Sequence, residues 1–412
     1  MMNKKVIVIG AGAAGLMAAG SAAEYGASVT LIEKNKRVGR KLLITGKGRC
    51  NVTNNCDVQT FIQNVPVNGK FLYSAINHFT PDDVISFFED QGLKLKTERG
   101  NRVFPESDRA MEVVDTLYNY VFDLGVNIVN DVAKELIIEN GEVVGVECDS
   151  GTYYADSVIV CCGGKSYPLT GSTGDGYLLA KQAGHTVTDL KPSLVPLESK
   201  NPQCKEMQGL ALKNVGLKIR NNASDKVVYE DFGEMLFTHF GMSGPMILSA
   251  SSHIRDISKN KYVAEIDLKP ALSYEQLEKR LQSDFDENSN KDVSNSFSRL
   301  LPRKIIVPVL KRWNVAFDKK CNCITKEERR ALCEILKCFK VEIEGFRPIE
   351  EAIVTSGGVK TSEINPKTME SKLVKGLYFA GEVIDCDAYT GGFNLQIAWC
   401  TGRLAGENSA ML

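Results

Sequence analysis

The chain opens on four apolar β-formers, Val6-Ile7-Val8-Ile9, that run without a polar break into Gly10-Ala11-Gly12-Ala13-Ala14-Gly15. An Ala-rich helical pattern follows through Tyr25, and a second apolar run, Ser28 to Ile32, ends at Glu33. Apolar runs with no alternation mark strands covered on both faces, the habit of parallel sheets. Further along, Glu135–Glu139, Val143–Cys148 and Thr152–Tyr154 read as strands of a meander, with the turn pair Asn140-Gly141 between the first two. Asp156 to Gly164 is a buried strand running into glycines, and Gly174-Asp175-Gly176 opens a helix to about Ala183. From about Leu190 to Asp267 short alternating segments predict a β-rich region, and from Ser273 to about Phe339 the pattern turns helical and heavily charged. Ile353 to Val359 is strand-like again, and Gly376 to Phe379 is a short buried strand before an apolar helix ending near Gly406. The expected fold is α/β. A Rossmann-like nucleotide-binding domain is split over residues 1–190 and 351–412, around an inserted substrate or lid domain at 191–350. Within the insertion, 191–270 is mainly β and 271–340 mainly helical.

The opening element carries chemistry. Gly10 allows a tight turn out of the strand, Gly12 lets backbone approach a pyrophosphate, and Gly15 lets the helix pack closely on the sheet. Ala13 and Ala14 head a helix whose unpaired N–H groups and positive end suit phosphate. Glu33 is placed to accept hydrogen bonds from ribose hydroxyls. Strand, helix, second strand and acid occur in order, which a chance glycine-rich turn does not provide.

The far end of the chain selects the dinucleotide. Gly376-Leu377-Tyr378-Phe379-Ala380-Gly381-Glu382 is a strand ending in a glycine and an acid, and Thr390-Gly391-Gly392-Phe393-Asn394-Leu395-Gln396 opens the last helix. Asn394 is the expected N-cap. In two-domain flavoproteins such a strand–Gly–acid element places its carboxylate on the ribityl chain, and a following helix N-terminus stabilises the negative charge that a flavin gains at its N1/O2 edge on reduction. A glycine-rich turn before a core helix would explain the glycines but not the acid. Two such elements, far apart in sequence, favour FAD over NAD.

Three further blocks resemble the BaiN/YhiN-like FAD-dependent oxidoreductases. They are Gly39 to Asn54, which follows G-R-K-x-x-x-S/T-G-x-G-R-C-N-x-T-N; Glu234 to Pro245; and Thr355-Ser356-Gly357-Gly358-Val359. The resemblance runs in order through nearly the whole chain. It departs at Lys47, where glycine is usual, and at Ala388-Tyr389, where glycine is usual before Thr390-Gly391-Gly392. The first departure puts a charge near the nucleotide and the second narrows a loop beside the flavin. The resemblance implies FAD contacts from Lys34, Arg40, Lys41 and Gly48, and from Arg49, Cys50 and Asn51. It further implies Val132, Cys162, Gly163 and Gly164 on the adenosine and pyrophosphate side, and Gly381, Glu382, Gly392, Asn394 and Leu395 on the flavin side.

Composition narrows the class. The 50 basic and 51 acidic residues nearly cancel, which argues against nucleic acid and anionic membranes as partners. No apolar run approaches the ~18 residues needed to span a bilayer. The first strand begins so near the N-terminus that a signal peptide has no room, and a cytoplasmic location is expected. The 12 cysteines are scattered, unlike a secreted disulfide framework. Cys50 and Cys56 sit where flavin disulfide reductases keep a redox pair, but their spacing does not match that pair. Cys161-Cys162 reads as packing at a strand end. Cys321, Cys323, Cys333 and Cys338 have an awkward spacing for one tetrahedral centre, so no metal is expected.

Of the 4 histidines, His239, in Phe237-Thr238-His239-Phe240-Gly241, is the candidate proton donor. The competing role is a structural histidine bonding a turn. Tyr167 and Tyr389 are secondary candidates for the substrate cavity. No second strand–G-x-G-x-x-G–helix unit is present, so either NAD(P)H docks transiently on the flavin face as electron donor or the enzyme is reoxidised by oxygen or another acceptor; the first is the expectation. The family resemblance implies either reduction of a C=C bond in an unsaturated 3-oxo steroid or bile-acid-like substrate, or oxidation of a small amine such as aminoacetone. Reduction is the favoured expectation. A structural flavoprotein and an FAD-dependent modifier of nucleic acid are the rivals. The expected partner is a small-molecule substrate, and the oligomeric state is open.

Overall fold

The computed structural model describes residues 3–254, 257 and 261–411. These divide into two compact units, one formed by Met1–Ser193 with Pro348–Leu412 and the other by Leu194–Arg347.

The first unit is built on a five-stranded parallel sheet. Its strands are β1 (Lys5–Ile9), β2 (Ser28–Glu33), β3 (Asn127–Asn130), β4 (Ser157–Val160) and β5 (Leu377–Phe379), in spatial order β5-β4-β1-β2-β3. Every residue of β4 and β5 is buried, as is β1 beyond Lys5, which is why these strands read as unbroken apolar runs. Helix α1 (Ala13–Glu24) lies against helix α2 (Phe393–Ala410), and the approach is close enough to exclude side chains. A Cβ on Gly402 would stand 2.5 Å from the Ala14 carbonyl oxygen, and one on Gly406 would stand 2.4 Å from that of Ala18. Residues 14–22 of α1 are all buried, so the helix shows no polar face.

Two small antiparallel sheets complete this unit. The strands Ala133–Glu139, Glu142–Cys148 and Gly151–Tyr154 form a meander in sequence order. Thr53–Asn54 and Leu95–Glu98 flank Arg102–Pro105 inside the excursion that follows β2. A two-stranded ribbon, Lys191–Ser193 with Val354–Ser356, joins the segment that leaves the unit to the one that returns.

The second unit has a seven-stranded antiparallel sheet whose long central pair is Ala211–Asn221 with Lys226–Phe237. Helices Tyr274–Glu287, Arg303–Trp313 and Lys326–Lys337 follow, and Phe339–Ile343 then pairs with Tyr262–Asp267 at one side of the sheet. Its own core gathers Leu217, Ile219, Phe237, Leu277, Phe297 and Phe339, among others.

Candidate active site

The turn from β1 into α1 is set by three glycines, two closely packed and one open. Gly10 has φ +98°, and a Cβ there would meet the Cys161 carbonyl oxygen at 2.7 Å. A Cβ on Gly15 would overlap the Gly10 carbonyl oxygen at 1.8 Å. Gly12, between them, has nothing within 4 Å of that direction. The turn is tightly packed behind and open in front, the shape that a pyrophosphate needs. The first bond of α1 runs from Leu16 N to Gly12 O, so the amides of Ala13, Ala14 and Gly15 precede it.

Glu33 closes this turn from the second strand. Its buried carboxylate accepts from Ala11 N at 2.7 Å and from Asn35 N and Nδ2 at 2.8 and 2.6 Å. A carboxylate offers about four acceptor positions. Three are filled, leaving one on Oε2 for a ribose hydroxyl. Arg40 donates to Asn35 Oδ1 at 2.7 Å, and Lys34 binds Thr173 and Asp175, so both basic residues brace the rim of this corner. Val132 lies just beyond β3, beside Glu33, where Asp131 N donates to the Glu33 carbonyl oxygen. Val132 O accepts from Asp149 N and Val132 N donates to Asp131.

A second acid organises the other end. Glu382 receives Lys41 Nζ on Oε2 at 2.6 Å, and Ser166 Oγ and Thr355 N on Oε1 at 3.1 and 2.8 Å. Lys41 also donates to Ser166 Oγ at 2.7 Å. Residues 341 positions apart are thus joined in one partly buried ion pair. A Cβ on Gly164 would strike Thr355 Oγ1 and the Glu382 carboxylate, and one on Gly381 would strike Ala14 Cβ at 2.7 Å. Cys162 and Gly163 lie in the same stretch after β4. The Cys162 thiol is pushed up to about 12 by burial, which removes it from thiolate chemistry.

The N-terminus of α2 departs from expectation at Asn394. Gly392, at φ +100°, is the N-cap, and a Cβ there would lie 2.4 Å from the Thr53 backbone. Asn394 is instead inside the first turn. Its side chain folds back to accept from Ala388 N at 2.9 Å and donate to Ala388 O at 2.8 Å, pinning the preceding loop. The cap position needs a left-handed backbone pressed against Thr53, which only glycine supplies. The first intrahelical bond joins Gln396 N to Gly392 O, so the amides of Phe393, Asn394 and Leu395 stand before it. Ala388 is buried beneath the Asn394 amide.

The excursion after β2 forms the rest of the site. Gly46, Lys47, Gly48 and Cys50 all have positive φ, which coils the segment into a tight loop with Lys47 exposed. Asn51 Oδ1 is buried with no protein partner. Arg49 pairs with Glu98 and Asp108 and lies 4.1 Å over the Phe104 ring. Glu98 ends a strand of the excursion's small sheet and Asp108 lies just after that sheet, a pairing that sequence spacing does not reveal. Thr53, Asn54 and Val52 bond Gln396, Gly391 and Trp399, tying the excursion to α2. Cys50 is fully buried with its thiol pushed up to about 12 by burial, and Cys56 reaches about 11. All 12 cysteines are free.

These features fit FAD. An open cradle at Gly12, a carboxylate with one unfilled position at Glu33, two helix N-termini and an orphaned acceptor on Asn51 match the phosphates, ribose and N–H groups of a flavin dinucleotide.

His239 belongs to the second unit. It sits exposed in the tight turn between Lys226–Phe237 and Gly241–Ser243, closed by Thr238 N to Gly241 O at 2.9 Å. Its ring meets Phe240 edge-on at 5.0 Å, and Thr238 Oγ1 is buried without a partner. In the first unit, Tyr167 is half-buried at φ +52° and Tyr389 N donates to Asn64 O.

A parallel sheet with a glycine turn, an acid at the end of the second strand and a second acid–helix element define an FAD-dependent oxidoreductase of Rossmann type. The chain belongs to the family described as HI0933-like protein Rossmann domain, whose pattern matches residues 4–408. It is 31% identical over 99% of its length to the 3-dehydro-bile acid delta(4,6)-reductase of Clostridium scindens, of which 99% is covered. It is also 31% identical to the ribosomal RNA dihydrouridine synthase of Escherichia coli, over 95% of this chain and 94% of that one. In fold it is similar to the 3-ketosteroid-delta4-(5alpha)-dehydrogenase of Rhodococcus jostii, with a TM-score of 0.55 and 14% identity, covering 100% of this chain and 98% of that one. Among the described residues no helix is long and apolar enough to cross a membrane.

Proposed function

We propose that this enzyme uses NAD(P)H to reduce a C=C bond conjugated to a carbonyl, in a 3-oxo steroid or bile-acid-like substrate. The observation that carries the reading is the full-length similarity to the Clostridium scindens reductase. Bound FAD supplies hydride transfer. The chain's own part is to hold that cofactor and to supply a proton. Glu33 and the α1 N-terminus hold the adenosine and pyrophosphate, while Lys41 and Glu382 fix the ribityl side. The α2 N-terminus offers amides and positive potential where negative charge accumulates. His239 is the assigned proton donor to the substrate after hydride addition, because its side chain is exposed and an imidazole can donate a proton to a reacting group.

The Escherichia coli relative supports a second reading, in which the carbonyl-conjugated double bond belongs to a uracil base in RNA. The bond chemistry is the same in both, so the choice lies in the substrate. Anaerobic mixing of the purified yellow protein with NADH or NADPH should bleach the flavin. Reoxidation by a 4-en-3-oxo steroid supports the first reading, and reoxidation by unmodified ribosomal RNA supports the second. Bleaching by aminoacetone and not by NAD(P)H would favour an amine oxidase and overturn both. No bleaching by any donor would favour a structural flavoprotein.

A further inference from the structure

Asp387 is almost fully buried, at 1% exposure, and among the described residues no cation pairs with it. Its Oδ2 accepts from Ser193 Oγ at 2.8 Å and its Oδ1 from Ser356 Oγ at 2.9 Å. Those serines lie on the two strands of the ribbon through which the chain leaves the first unit and returns to it. The neighbouring ribbon residue, Thr355, donates its N–H to Glu382 and accepts on Oγ1 from Lys165 N and Ser166 N. Two acids of the flavin-side segment, Glu382 and Asp387, thus grip successive residues of one ribbon. Beyond Asp387, the segment is pinned by Ala388 to Asn394 in the first turn of α2.

We infer that Asp387 is a positioning residue: with Ser193 and Ser356 it fixes the 384–392 loop, and through it the N-terminus of α2, against the ribbon. A buried carboxylate held by two neutral hydroxyls is costly, and packing alone would be served by an apolar residue of similar size. The charged groups acting on it are Asp385 and Glu382, the latter paired with Lys41. Burial, opposed by the two serines, pushes its carboxyl up to about 6. The inference rests on the reading that α2 borders the flavin.

The test compares Asp387→Ala, Asp387→Asn and the double variant Ser193→Ala/Ser356→Ala in the full chain. Readouts are FAD Kd, the visible absorbance and circular dichroism of bound FAD, thermal stability and turnover. Asp387→Ala and the serine pair should each shift the flavin spectrum and raise the FAD Kd about tenfold, and combining them should add little more. Asp387→Asn, which can accept from one serine and donate to the other, should recover most of the loss and abolish any inflection in turnover near pH 6. If Asp387→Ala does not fold, the serine pair carries the test, since each loses one neutral hydroxyl. Lower thermal stability with an unchanged spectrum and Kd would overturn the inference, and so would a serine pair with wild-type flavin properties. A wild-type protein that binds no FAD would instead overturn the reading of the site.

Discussion

Replacing Glu33 separates its two tasks, because its oxygens are unequally committed. Three protein donors already bind the carboxylate, and the free position on Oε2 is the one assigned to ribose. Glu33→Gln keeps the shape but turns one acceptor into a donor. If the amide oxygen stays with Ala11 N, the amide nitrogen faces the Asn35 donors. If it flips, Ala11 N, which is buried, loses its partner. A charge-assisted hydrogen bond contributes about 1.5–3 kcal/mol and a neutral one about 0.5–1.5, while an unpaired buried donor costs about 1–3 kcal/mol. Losing the charged ribose contact should therefore cost about 1–3 kcal/mol, and at 1.4 kcal/mol per decade the FAD Kd rises about 5- to 150-fold. Glu33→Ala should bind FAD at least as weakly and also lower the stability of the apoprotein. The assay is fluorescence titration of apoprotein with FAD, beside urea unfolding of the same apoprotein. Both variants binding FAD with the wild-type Kd would refute the assignment of Glu33 to ribose, whatever happens to stability.

His239→Ala should slow substrate reduction by about 10²–10⁴-fold in single-turnover kinetics while FAD content and flavin bleaching by NAD(P)H stay unchanged; Gln at this position should recover part of the loss only if hydrogen bonding is the role. Gly402→Val forces a side chain toward the Ala14 carbonyl and should destabilise the fold by roughly 1–3 kcal/mol in urea unfolding, with lost FAD retention on gel filtration. Thiol titration of the native protein should show Cys323, which is exposed, reacting first, with the buried Cys50 and Cys400, both pushed up to about 12, reacting only on unfolding. His185 is buried between Ser371 and Glu363, and burial lowers its pKa from the ordinary 6.5. Its folded value lies below its unfolded one, so its contribution is full above about pH 6.5 and is lost as pH falls through the folded value; His185→Gln should flatten that part of the stability–pH curve.

Local signals in this sequence are strong where one residue type is the only solution. Gly10 and Gly15 are legible because the turn and the helix approach each admit few residues, and the parallel sheet follows from apolar runs buried on both faces. The extent of α2 is less legible: its apolar pattern fades near Gly406, but the helix continues to Ala410 because Ser409 and Glu407 are buried too. The sequence also places Asn394 two residues out of role, since capping preference favours Asn but cannot sense that Thr53 crowds the cap at Gly392.

What sequence spacing cannot show is the set of partners that fixes each charged side chain. Lys41 and Glu382 are both marked by their motifs, yet nothing in either motif says that they pair with each other rather than with the cofactor. Arg49 is marked by its motif as a cofactor contact, but the motif does not show that its guanidinium also pairs with Glu98 and Asp108, 49 and 59 positions away. Asp387 carries no signal at all beyond being an acid in a loop, because both serines that hold it come from the ribbon, 194 and 31 positions distant. In each case the missing information is long-range register. A motif can identify a residue's type and place it on a turn, but the direction of a carboxylate or a guanidinium follows from which distant backbone the sheet and ribbon bring beside it. At the candidate site this division separates shape from charge: glycines such as Gly10 and Gly15 set the close approach of the turn, whereas the Lys41–Glu382 pair depends on segments far apart in sequence.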